Sequence, residues 1–206
     1  MFKINIEAFV LGPVSTNAYL IHNGQNGLII DPGVNPQQLL ARIMELQLKI
    51  DAILLTHAHF DHIGGLDEVR RTVAAPVYLH KAEHDWLGDP SLNASLRFGG
   101  PITCKPVEHS LKGDELLLIG AWNIKVIHTP GHTPGSVTYC LDEGIFSGDV
   151  LFQNSIGRTD LSGGNREILN KTIRSKLLTL PDDTIVYAGH GPKTTIGQER
   201  QYNPFI

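Results

Sequence analysis

Cysteine is scarce in this chain: 206 residues hold two, Cys104 and Cys140. Two thiols cannot build a disulfide scaffold, so the fold has to rest on a buried core, and the pattern points to a reducing compartment. A basic surplus is missing as well. Seventeen Lys and Arg stand against 21 Asp and Glu, a formal charge of −4, which leaves nothing to neutralise a nucleic-acid backbone or to dock on an anionic membrane. No apolar run approaches the roughly 18 residues that a membrane span requires. Residues 1–12 alternate polar and apolar types in place of the continuous apolar stretch of a signal peptide, and the chain opens on Met1, so the expectation is a cytoplasmic protein without nucleic-acid or membrane partners. Gly and Pro fill 33 of the 206 positions, about 16%, below the roughly 25–30% of low-complexity chains. A length of 206 residues suits one domain, taken here as 1–206, or two intimately joined halves.

What the chain has in quantity is histidine, ten residues in all. Their setting follows from the order of elements. Ile4, Ile6, Ala8 and Val10 alternate with Lys3, Asn5, Glu7 and Phe9, which predicts a strand with one buried face. An apolar run at 18–21 leads into Asn23-Gly24 and Asn26-Gly27, a hairpin signal, and a strand at 28–30 follows. Asn35 is the expected cap of a helix with Pro36 in its first turn and Leu39, Ile43 and Leu46 on one face. A short strand at 52–55 feeds Thr56-His57-Ala58-His59-Phe60-Asp61-His62. The second half repeats this order loosely. Strands are predicted at 122–128, 136–141 and 184–187, and Asn165 is the expected cap of a helix carrying Leu169, Ile173 and Leu177. Two explanations fit, an internal duplication or the ordinary alternation of α/β chains. Residues 87–105, rich in Gly, Pro, Asn and Ser, are expected to form a long mobile loop.

Within 57–62 stand three histidines and an aspartate. Neutral imidazoles and carboxylates are the ligands of zinc and similar divalent ions, and so dense a cluster beside a buried strand would be costly without a coordinated cation. Gly64 and Gly65 permit a sharp turn and close backbone approach after it. His132 in a Gly- and Pro-rich stretch, Asp149 after Ser147-Gly148, and His190 between Gly189 and Gly191 each follow a predicted strand. Together these are five His and two Asp, enough for two metals with three ligands each and one shared carboxylate.

Thr56 to His62, with Gly131-His132, Ser147-Gly148-Asp149 and Gly189-His190, resembles the motif set of the metallo-β-lactamase superfamily. Ile30-Asp31-Pro32-Gly33, the run from Ser155 to Asp160 and the run from Gly191 to Gly197 are most similar to its hydroxyacylglutathione hydrolase, or glyoxalase II, branch. The resemblance implies an α+β fold, a four-layer αββα sandwich of two pseudo-repeated halves. It implies that His57, His59 and His132 hold one metal, that Asp61, His62 and His190 hold a second, and that Asp149 bridges them, with zinc the first candidate and iron or manganese suited to the same donors. Asp61 would also help orient the attacking water. Glyoxalase II proper carries a further C-terminal helical region that grips glutathione, whereas this chain stops at Ile206; of its core thiol contacts only Arg158 matches, and Gly191-Pro192 stand where a tyrosine is expected. True β-lactamases lack the shared aspartate, which sets lactams aside.

The expected activity is hydrolysis of a small acyl thioester of the hydroxyacylglutathione type by metal-activated water. Asp31 either accepts from a ligand imidazole or caps the helix that follows. Rival expectations are a persulfide dioxygenase with one iron on His57, His132 and Asp149, a lactonase or other ester hydrolase of the same superfamily, and a non-catalytic scaffold. His80 and His84 are expected on the surface, His22 and His109 in solvated turns, His128 in packing, and Cys140 in the core without a partner.

Overall fold

The computed structural model describes residues 3–206; Met1 and Phe2, which the predicted domain and the alternating start include, lie outside them. The chain forms two compact units, divided after Leu111. Among the described residues no helix is long and apolar enough to cross a membrane.

The first unit holds β1 (Asn5–Leu11), β2 (Thr16–His22), β3 (Asn26–Ile30), α1 (Gln37–Glu45), β4 (Lys49–Leu54), α2 (Phe60–Ile63), α3 (Leu66–Val73), β5 (Val77–His80), a 3-10 helix at Lys81–Leu87, α4 (Ser95–Phe98) and β6 (His109–Leu111). The six strands lie in sequence order in one sheet; β1, β2 and β3 are antiparallel, and β3 to β6 run parallel. Antiparallel neighbours need only turns, and the β2–β3 turn is closed by Asn23, whose carboxamide oxygen accepts from the N–H of Gln25 and of Asn26. Parallel neighbours need a crossover, which α1 supplies between β3 and β4. Its buried Leu39, Leu40 and Ile43 join Leu20, Ile29, Ile53 and Val69 in a continuous core.

Three expectations change here. In β1 the phase toward its end is opposite to that predicted: Phe9 packs on the core and Leu11 is buried, while Ala8 is exposed and Val10 is 63% exposed. Glu7 explains how the polar series can turn inward, because its carboxylate accepts from Arg42 of α1 at 2.8 Å and lies 3.0 Å from His22 Nε2. Asn35 does not cap α1; it sits at φ +58°, Pro36 takes the cap position, and no side chain bonds the first turn. Residues 87–105 are not an open loop either. They contain α4, the Asn93 carboxamide donates to the carbonyls of Trp86 and Ile102, and Cys104 N–H bonds Leu87 O. Polar composition there reflects side chains spent on holding the backbone.

The second unit, Lys112–Ile206, holds β7 (Glu115–Ile119), β8 (Trp122–His128), β9 (Val137–Leu141), β10 (Gly144–Gly148), a small ribbon of β11 (Leu151–Phe152) and β12 (Ser155–Ile156), α5 (Arg166–Thr172) running into a π-turn at Ile173–Leu177, β13 (Ile185–Ala188), β14 (Thr194–Thr195) and α6 (Ile196–Tyr202). Its six-stranded sheet has the order β14-β13-β10-β9-β8-β7, antiparallel except for the β10–β13 pair. That parallel pair is bridged by α5, capped as expected by Asn165, whose Oδ1 accepts from Ile168 N–H at 3.0 Å. Leu169, Ile173 and Leu177 are fully buried with Val186 and Ile196. Each unit thus contains one antiparallel meander ending in a strand–helix–strand parallel step, the repeat that the sequence suggested.

Candidate metal centre

In the first unit the parallel pairing of Ile30 with Leu54, and the bond from Asp31 N–H to Leu54 O, make the chain leave β3 and β4 side by side at one sheet edge. Ligands of such sheets gather beyond the carboxyl ends of the strands. Asp31, 1% exposed and at φ +50°, accepts from the Thr56 N–H at 2.8 Å and the Thr56 hydroxyl at 2.6 Å, and its Oδ2 lies 2.9 Å from His62 Nδ1. The structure therefore decides its role: it holds a histidine and leaves α1 uncapped. An ionised carboxylate only accepts, so Nδ1 of His62 carries the proton and Nε2 presents its lone pair.

Around this anchor the ligand run folds back on itself. His57 Nε2 stands 3.1 Å from His59 Nδ1, the His57 and His62 ring centres are 4.1 Å apart, and His62 Nε2 is 3.4 Å from Asp61 Oδ2. The run can close so tightly because Gly64 and Gly65 follow it. A Cβ on Gly65 would lie 2.7 Å from Gly33 O, and one on Gly64 would lie 2.6 Å from Val34 Cγ2. Their backbone angles are ordinary for any residue; close approach, and not the sharp turn also expected, is what requires glycine. Three residues hold the run, of which sequence reasoning missed Thr16 and Glu83 and read Thr56 only as part of the motif. Thr16 Oγ1 donates to Asp61 Oδ2 at 2.7 Å, the buried Glu83 accepts the Ala58 N–H at 2.6 Å, and Thr56 braces Asp31.

The second unit carries its own cluster, again beyond a parallel pair. Gly148 and Ala188 are in register, and Gly189 N–H bonds Gly148 O, so Asp149 and His190 leave their strands together. Asp149 Oδ2 is 3.6 Å from His132 Nε2 and 3.4 Å from His190 Nε2. His132 Nδ1 donates to Arg158 O at 2.7 Å, which turns Nε2 toward Asp149. Gly157 lets the chain pass close beneath the cluster, since a Cβ there would collide with Asp149 O and lie 3.2 Å from His132 Nδ1. The Arg158 side chain is half-exposed and grips Asp160 through two 2.7 Å contacts; the nearby carboxylate raises its pKa. The contact that the structure gives Arg158 with the cluster is through its backbone carbonyl to His132, a part that the expected thiol contact did not involve.

Three of the donor spacings, 3.4, 3.4 and 3.6 Å, are informative together. Atoms bound tetrahedrally at about 2.0–2.2 Å from one ion stand ~3.3–3.6 Å apart. A spacing of 3.6 Å is too long for a hydrogen bond. In the first unit His57, His59, His62 and Asp61 are all buried, a concentration of titratable groups that chemistry favours when a cation neutralises and ligates it. The residues present fit divalent metal.

The remaining histidines divide. His22, expected in a solvated turn, and His80, expected on the surface, are 5% and 3% exposed. His22 faces Glu7, and His80 Nδ1 accepts from Ala82 N–H to start the 3-10 helix that also carries the half-buried His84. His109 is exposed and stacks on Tyr78 at 4.4 Å. His128 packs as expected, with Nε2 2.9 Å from Pro134 O. Burial pushes the Cys140 thiol up to about 11 and the Cys104 thiol up to about 12, which suits core residues and not nucleophiles.

This fold and donor set define a metallo-β-lactamase superfamily protein. The match to the family described as "Metallo-beta-lactamase superfamily" spans residues 11–190, and the chain belongs to it. Its fold is the metallo-β-lactamase fold, mixed α and β with two sheets. Among relatives, the chain is 50% identical to "Probable metallo-hydrolase YqgX" of Bacillus subtilis, over 95% of this chain and 94% of that one. It is 38% identical to "Hydroxyacylglutathione hydrolase GloC" of Haemophilus influenzae, over 98% of both. Among solved structures, the BLEG-1 B3 metallo-beta-lactamase aligns with a TM-score of 0.94 at 50% identity, covering 98% of this chain and 99% of that one. TTHA1623 in a di-iron-bound form aligns at 0.86 and 39% identity, covering 97% and 100%. The chain is a metal-binding hydrolase of this superfamily.

Proposed function

We propose that the chain is a dimetal thioesterase that hydrolyses small acyl thioesters of the hydroxyacylglutathione type. The observation that carries the reading is the matched pair of ligand clusters, each built beyond a parallel strand pair and each with a histidine held at Nδ1 by a protein acceptor. We assign His57, His59 and His132 to one ion, Asp61, His62 and His190 to the other, and Asp149 to both. The 38% likeness to GloC over nearly the full length of both chains supports the thioester as substrate. Zinc is the proposed occupant; iron suits the same nitrogen and oxygen donors and is bound by TTHA1623. Two such ions supply a water ionised near neutral pH and a Lewis acid for the thioester carbonyl.

The chain's own residues set the conditions for that chemistry. Asp31 and the Arg158 carbonyl fix tautomer and direction for His62 and His132, the kind of support whose loss costs about 10–100-fold in affinity or activity. Thr16 holds one oxygen of Asp61, which fixes the rotamer of that carboxylate. No serine or cysteine nucleophile is needed, in keeping with the raised thiols.

The test pairs metal analysis of the purified protein with a substrate panel. Two equivalents of metal and thiol release from lactoylglutathione support the reading. One iron per chain with oxygen uptake on glutathione persulfide, or nitrocefin turnover without thioesterase activity, overturns it in favour of a dioxygenase or a lactamase. Asp149→Ala is expected to lose one metal equivalent and most turnover; retention of both ions and full activity removes the bridging assignment.

A further inference from the structure

Beside the ligand run of the first unit lies a cavity of about 380 Å³, within the ~300–1,000 Å³ of small-molecule sites. Its side-chain walls are Pro13, Val34, Phe60, Phe98 and Ile102, with Ser95 as the one hydroxyl. That hydroxyl is spent internally, donating to Pro90 O and accepting from Ile102 N–H. No charged side chain lines the space. It therefore offers a guest apolar surface and no polar side-chain handle.

Its position gives the cavity meaning. Phe60 lies between His59 and Asp61 in the chain, its N–H is fixed to Asn93 O at 2.9 Å, and its ring stacks on Phe98 at 5.3 Å with 13° between planes. Phe98 is 42% exposed, so the aromatic pair leads from the buried ligand run to solvent. Gly99 and Gly100 extend the wall at φ +145° and +127°, where side chains are rarely tolerated, and nothing lies within 4 Å of a Cβ built on either. The backbone itself keeps that part of the rim open.

We propose that this cavity receives the acyl chain of the substrate, and that among simple acyl groups on one thiol a medium-length apolar chain is preferred to an acetyl group. The proposal rests on the thioesterase reading above and narrows it. Each methylene taken from water into such a wall favours the longer chain, and differences of that kind separate substrates by about 10-fold or more.

The experiment compares kcat/KM for the acetyl and hexanoyl thioesters of glutathione and of N-acetylcysteamine, so that the result does not depend on the thiol. The expected hexanoyl-to-acetyl ratio is about 10 or more for the unaltered protein. Phe98→Ala, which removes half of the aromatic pair, and Pro13→Trp, which fills the space from an exposed turn, should each lower that ratio about 10-fold. Leu96→Ala removes an exposed apolar side chain of α4 that does not line the cavity and should keep the ratio. A ratio near 1 in the unaltered protein, or one that neither cavity variant lowers, overturns the acyl pocket and leaves the thioesterase standing. An unaltered protein inert on all four thioesters but active on lactoylglutathione overturns the acyl pocket alone, and one inert on lactoylglutathione as well overturns both.

Discussion

Asp31→Asn is the sharpest probe of how the protein holds its ligands. The carboxylate is 1% exposed and accepts three bonds, from Thr56 N–H, Thr56 Oγ1 and His62 Nδ1 at 2.8, 2.6 and 2.9 Å. Asparagine keeps shape and size and tolerates the left-handed backbone at φ +50°. One acceptor oxygen becomes a donor. Either the amide oxygen stays with Thr56 and the amide nitrogen meets the His62 N–H, or the imidazole moves its proton to Nε2, the atom meant for metal. The first outcome leaves a buried donor unsatisfied, at about 1–3 kcal/mol; the second removes a ligand lone pair.

Both outcomes weaken metal binding by about 10–100-fold, which is ~1.4–2.8 kcal/mol. In the metal-stripped protein the unsatisfied donor lowers Tm by roughly 2–12 °C, at about 2–4 °C per kcal/mol for a chain of this size. Chelator competition measures the first quantity and thermal unfolding of the stripped protein the second. Thr56→Ser is the control, because it keeps the hydroxyl that bonds Asp31 at 2.6 Å and faces His57 Nδ1 at 3.1 Å; it should leave metal binding near that of the parent. An Asp31→Asn protein that loses stability but binds metal as tightly as the parent would refute the positioning role and leave Asp31 as a clamp on the strand ends.

Three further outcomes follow from the packing. Gly157→Ala drives a methyl into Asp149 O, and the forced backbone shift should cost about 1–3 kcal/mol or more in urea unfolding and reduce bound metal; unchanged stability and metal content would contradict the close approach. Asn165→Ala removes the cap bonded to Ile168 N–H and should cost about 1 kcal/mol, read in the same unfolding assay. Cys104 and Cys140 stay protonated in the folded chain to about pH 12 and 11 because burial disfavours the thiolate, whereas in the unfolded chain each ionises near 8.5. Above that value the unfolded state binds fewer protons, so the thiols' contribution makes stability fall as pH rises. Native protein at pH 8 should react with a thiol reagent far more slowly than unfolded protein, and equal rates would contradict the burial.

The candidate ligands were legible in the sequence because they are crowded into one short run or stand beside glycines at strand ends, where few alternatives compete. The helix faces were legible too: Leu39 and Ile43, and Leu169, Ile173 and Leu177, are buried as their spacing implies. Strand phase was less so. In β1 both alternating series carry apolar residues, and the choice fell to Phe9 and Leu11 because Glu7 can turn inward onto Arg42 and His22, partners that no local pattern announces. His80 misled for a related reason, since a buried imidazole that caps a 3-10 helix carries the same letters as a surface one.

The holding groups were the least visible, and their sequence separations explain it. Thr16 reaches Asp61 across 45 positions, Glu83 reaches Ala58 across 25, and the Arg158 carbonyl reaches His132 across 26. Threonine and glutamate are ordinary surface residues, and a backbone carbonyl has no letter at all. Only Asp31 gave a signal, because it ends a strand next to the one that feeds the ligands. That same placement recurs in the second unit, where Asp149 ends β10 and His190 follows the neighbouring β13. One topological step, a helix-bridged parallel pair, therefore delivers an aspartate beside a histidine twice. In the first unit the aspartate orients an imidazole through Nδ1; in the second it faces two imidazoles at Nε2. The atom faced, more than the residue type, separates a supporting carboxylate from a ligating one, and Asp31→Asn and Asp149→Ala should accordingly differ in kind: weakened binding of metal in the first, loss of a metal equivalent in the second.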